Sequence, residues 1–125
     1  MLLVTLRKAL DAVELMNVGI NYLREHVPMD VRMHYVTTNG GSAPNIVPDE
    51  ATVWYYDRAL NRETMKEVEK RMEKVARGAA MMTETELTIE ELGGRTMCWG
   101  IWWMTACAPY LRMPGRRRKL NTQAG

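Results

Sequence analysis

Residues 30–59, DVRMHYVTTNGGSAPNIVPDEATVWYYDRA, decide the fold. The first part alternates: Val31, Met33 and Tyr35 point one way and Arg32, His34 and Val36 the other, the period of a half-buried strand. The last part, ATVWYYDRA, is β-branched and aromatic and reads as a second strand. Between them lie Asn39, Gly40, Gly41, Ser42, Pro44, Asn45 and Pro48, a connection longer than the turns that usually close a hairpin.

Helical periods flank this pair. From Lys8 to about Val27, Leu10, Val13, Met16, Ile20, Leu23 and Val27 recur at three and four, and Pro28 stops the run. After the second strand, Asn61 is placed to cap a helix whose buried stripe reads Met65, Val68, Met72, Val75, Ala79 and Met82. Methionine in that stripe is flexible core filler, not a ligand set. TELTIEEL predicts a third strand, ended by Gly93 and Gly94. The order helix, strand, strand, helix, strand predicts an α+β fold with two helices on one face of an antiparallel sheet. It is the ferredoxin-like βαββαβ arrangement with its first strand lacking or replaced; MLLVTL is the one candidate for that strand.

At 125 residues and 46% hydrophobic, the chain suits one domain. No secretory leader is read at the start, and two cysteines give neither a disulfide framework nor a thiolate cage, so a cytoplasmic setting is expected. The net charge of +2 conceals a division. Residues 1–91 hold eleven basic and all fifteen acidic residues, whereas residues 92–125 hold six basic and no acidic ones, with three of the four tryptophans. Residues 1–94 therefore read as one domain, and residues 95–125 as a Trp-rich basic tail outside its fold. MCWGIWWMTACAPYLRM shows no period; a membrane-associated segment and an unstructured extension both remain open readings, the first the less favoured. The run Arg116–Lys119 is most simply solvated, and no nucleic-acid partner is expected.

No complete catalytic motif is present, and His26 and His34 alone cannot build a multi-histidine metal centre. His26 ends the first helix, where a partly charged imidazole complements the dipole. His34, Asn45 and Arg58 are expected to gather at one end of the paired strands, as donors for a carboxylate or a developing oxyanion. A surface histidine is the simpler reading of His34.

The stretches ALDAVELMNVGINYLREHV (9–27), RMHYVTTNGGSAPNIVPDEATVWYYDRA (32–59) and EVEKRMEKVARGAAMMTETELTIEELGG (67–94) carry a resemblance, with TNGGSAPNIVPD its most specific element. The chain resembles the lid, or dimerisation, domain of the aminoacylase/carboxypeptidase-type zinc amidohydrolases, in the branch that holds the p-aminobenzoyl-glutamate hydrolases. The resemblance implies a ferredoxin-like lid that pairs with a second lid and contributes groups to the site of a separate catalytic domain. That domain would carry two divalent metals, usually zinc; none is expected in this chain. By the same resemblance His34 would polarise a scissile carbonyl, and Asn45, Arg58, Gly40 and Gly41 would bind substrate. The expected partners are a second copy or an amidohydrolase catalytic domain.

Nothing here corresponds to the metal-binding domain, and resemblance and composition change together after ELGG. A lid fragment from a truncated, frameshifted or fused gene, without activity alone, is therefore the expectation. A stand-alone self-associating module and a membrane-associated protein are the alternatives.

Overall fold

The computed structural model describes residues 9–93 and 99–107. Helix α1 runs Ala9–Leu23 and tightens into a 3-10 turn, Arg24–His26. The helix thus stops short of the predicted Val27, whose backbone is already extended ahead of Pro28. Strands β1 (Arg32–Asn39) and β2 (Glu50–Arg58) follow, then helix α2 (Arg62–Thr83) and strands β3 (Glu86–Gly93) and β4 (Trp99–Cys107). Asn61 caps α2 as the sequence predicts, its Oδ1 accepting from the Thr64 N–H at 2.7 Å. At the other end Glu84 adopts the left-handed conformation and its N–H closes onto the last carbonyls.

The four strands form one antiparallel sheet in the order β1-β2-β4-β3. Both helices belong to the α+β arrangement predicted, packing together over the sheet. The correction lies in the tail. Residues 95–125 do not all lie outside the fold, because Trp99–Cys107 is a central strand, paired with β2 from Glu50↔Cys107 to Arg58↔Trp99 and with β3 on its other side. In a βαββαβ domain the leading strand holds that central place. Here β4 holds it, so β2, α2 and β3 make a split βαβ unit around a strand supplied from the C-terminal side. The candidate leading strand MLLVTL and the basic run at 116–119 lie outside the described residues.

The core sits between helices and sheet. Val13, Met16, Ile20 and Leu23 of α1 and Met65, Val68 and Met72 of α2 close over Met33, Val53, Tyr55, Met104 and Ala106. The predicted stripe of α2 fails at its end, where Met82 is 68% exposed because the buried face runs through Met72, Ala76, Ala79 and Ala80 instead. The two helices cross closely at Gly19, where a β-carbon would lie 2.5 Å from Val75 Cγ1. Among the described residues, no helix is long and apolar enough to cross a membrane.

Candidate functional site

The loop between β1 and β2 is built by its own backbone. Asn39 Oδ1 accepts from the Gly41 N–H at 3.2 Å, starting the turn away from the strand. Ala43 C=O accepts from the Ile46 N–H at 3.1 Å, a turn with Pro44 and Asn45 at its corners. Pro48, buried, lends its carbonyl to the Ala9 N–H at 3.1 Å, which pins the returning chain to the first turn of α1. The two glycines differ. Gly41 has φ +117°, and a β-carbon there would meet Pro48 Cγ at 2.8 Å; at Gly40 the nearest atoms are 3.7 Å away, ordinary contact. Only Gly41 is needed by the conformation.

Asn39, Gly41, Ser42 and the return from Ile46 to Glu50 surround an open hollow of about 240 Å³. Asn45 is not part of its lining. His34 lies on β1 opposite Tyr56, exposed on the face away from the helices. Arg58 ends β2 opposite Arg32. Its strand begins at the loop and runs away from it, so the six residues from Thr52 to Arg58 carry Arg58 about 20 Å from the loop end. His34 and Arg58 do come together on the open face, Arg58 standing two residues beyond the Tyr56 that faces His34, whereas Asn45 lies in the loop at the opposite end of the strands. Gly40, Gly41 and Asn45 share the loop, and His34 and Arg58 lie toward the far end of the strands.

A second cluster, unmarked by any motif, ties α1 to the free edge of the sheet. The Tyr55 hydroxyl donates to Asn17 Oδ1, and burial holds that phenol far above its usual range, with Tyr35 adding to the effect and Arg24 opposing it. The Tyr35 and Tyr55 rings lie 5.2 Å apart, and the Arg24 guanidinium stands 5.8 Å from the Tyr35 centroid. Arg24 Nη1 donates to Asn21 Oδ1 at 2.9 Å and Nη2 to the Met33 carbonyl at 2.6 Å. The sequence hides this role. Arg24 reaches β1 only because α1 ends in a 3-10 turn beside the start of the strand.

A third grouping is acidic. Glu69 of α2 is pushed up to about 7 by burial first, then by the charges of Asp57 and Glu91, with Lys66 pulling the other way. Asp57 is buried to 1% exposure on the helix side of β2. Among the described residues no three His, Cys, Asp or Glu side chains converge as metal ligands would.

Comparison with known proteins finds relatives over much of the described chain. The chain is 48% identical over 80 residues to a p-aminobenzoyl-glutamate hydrolase subunit of Escherichia coli (strain K12), covering 63% of this chain and 17% of that protein. It is 34% identical over 82 residues to Xaa-Arg dipeptidase of Mus musculus, covering 66% and 19% of the two chains. To Xaa-Arg dipeptidase of Homo sapiens it is 33% identical over 86 residues, covering 69% and 19%. The chain thus spans less than a fifth of the length of these relatives. Residues 6–82 match the M20 peptidase dimerisation domain, and the chain belongs to that family.

Proposed function

We propose that this domain provides self-association for a metal-dependent amidohydrolase acting on N-acyl amino acids or small peptides, and that the chain does not hydrolyse substrate by itself. The observation that carries the reading is the contrast between the two sheet edges. From Tyr35 to Asn39, β1 carries no charge and leaves one side of its backbone outside the sheet. The other edge, β3, carries Glu86, Glu90 and Glu91, which would repel a second copy laid alongside. Family membership and the hydrolase names of the relatives support the wider setting.

In that setting His34 would act on a scissile carbonyl, while Asn45, Arg58, Gly40 and Gly41 would meet substrate. The loop residues lie at the other end of the strands from His34 and Arg58, so a second protomer or a catalytic domain would have to complete the site. Sedimentation equilibrium tests the association: a dimer at micromolar concentration that becomes monomeric with Val36→Lys is expected. A monomeric wild type, or a Val36→Lys dimer of unchanged stability, overturns it. Hydrolysis of an N-acyl amino acid by the purified chain supplied with zinc would overturn the inactivity.

Exposed Trp54 and Val36 on the open face of the sheet favour a second reading, contact with a metal-bearing catalytic domain. Co-expression with such a domain and co-purification test it, and Trp54→Glu should abolish recovery.

A further inference from the structure

The β1 edge is modified at both ends. At its start, two arginines occupy carbonyls that alternate along the strand: Arg32 Nη1 donates to the Val31 carbonyl at 2.9 Å, and Arg24 Nη2 to the Met33 carbonyl at 2.6 Å. Alternate residues of an antiparallel strand turn their N–H and C=O the same way. Taking side-chain donors at Val31 and Met33 marks the odd-numbered groups as those facing away from β2. At the other end the register with β2 slips between Thr37 and Asn39, a bulge at Thr38 that breaks the run. Tyr35 and Thr37 thus hold the outward groups between the two interruptions.

We infer that Arg24 is a register stop, which confines pairing of β1 with β1 of a second copy to Tyr35–Thr37 and centres it on Val36. This rests on the self-association proposed above. Two antiparallel copies sharing a two-fold axis at Val36 would exchange N–H and C=O between Tyr35 of one and Thr37 of the other, four bonds in all. The two Val36 side chains would then meet at the close, non-hydrogen-bonded position, where apolar pairs contact well. Val36 is 52% exposed in the single chain. The next in-phase registers, centred on Tyr35 and then on His34, would both use the Met33 carbonyl, which the Arg24 guanidinium already holds. A positive charge at that point also opposes the approach of a second Arg24 across the axis.

Cysteine cross-linking reads the register directly. In a chain with Cys98→Ser and Cys107→Ser, Val36→Cys should give on the order of tenfold more disulfide-linked dimer than His34→Cys, since a cross-strand disulfide needs the close opposed pair. Adding Arg24→Ala should raise His34→Cys cross-linking to a similar level while helix content and melting stay near wild type. Equal cross-linking at both positions with Arg24 intact, or no response to Arg24→Ala, overturns the stop and leaves self-association standing. Absence of cross-linking at either position from a chain that sediments as a monomer overturns self-association, and the register with it. Arg24→Lys separates charge from geometry: it should keep the Val36 register only in part, because an ammonium lacks the guanidinium fork that reaches both Asn21 and Met33.

Discussion

The sheet is made of two hairpins that differ in almost every respect. The first, β1 and β2, lies within the segment matching the family and is written in ordinary strand language. The second, β3 and β4, falls beyond the matched segment and joins an acidic edge strand to a Trp-rich uncharged one, and yet its β4 holds a central place in the sheet. The difference separates two tasks. The first hairpin holds the edge and the loop to which the proposed contacts are assigned, and the second closes the sheet behind them.

The largest test strikes the second hairpin. Met104 of β4 is 2% exposed in the core, so Met104→Asp buries an unpaired carboxylate and should cost about 4 kcal/mol or more. Loss of the cooperative urea transition is the expected result; an unchanged midpoint would mean that β4 is dispensable and the first hairpin folds without it. In the first hairpin, Gly41→Ala should cost about 2 kcal/mol through its positive φ and the Pro48 contact, against a near-neutral Gly40→Ala. Paired urea titrations of the two variants check this.

A third test addresses the bridge between the hairpins, since Glu69 on α2 senses Asp57 of β2 and Glu91 of β3 together. Its folded pKa of about 7 exceeds the ordinary 4.5, so the folded state binds this proton more tightly. The contribution is fully present below pH 4.5 and is lost as pH rises through 7. Allowing for solvent screening, it amounts to about 1–2 kcal/mol. Glu69→Gln should flatten that slope in stability curves taken from about pH 4.5 to 8. The smallest effect belongs to Asn61, between the first hairpin and α2: Asn61→Ala should lose about 1 kcal/mol by thermal melting, with β1 association unaltered.

Both helices and the first three strands were legible because their periods are clean. Met16 and Ile20 recur with the helix, and Met33 alternates with His34. β4 was not legible. Its buried positions, Gly100, Met104 and Ala106, do alternate, but the residues between them in WGIWWMTAC are mostly apolar too, so no polar alternation sets it apart from an apolar tail. The loop was legible as a loop, and its turn residues act as their chemistry predicts. The placing of Asn45 beside His34 and Arg58 was not, because composition does not say which end of the strands the loop occupies relative to them. Arg58 closes β2 at the end away from the loop. Arg24 escaped notice for a different reason: its role depends on a helix ending one turn early.

The place of β4 also sets an order of events during synthesis. β1 and β2 are close in sequence and can pair as soon as Arg58 has emerged, but the other side of β2 must wait for Trp99–Cys107. At roughly 5–20 residues per second, that leaves β2 with an unmet side for about 2–10 s. A nascent chain in this state leaves β2 bare on the side that β4 covers in the finished domain. Chaperone cover during those seconds, or fast pairing of the β3–β4 hairpin once made, then decides how much of the product reaches its folded form.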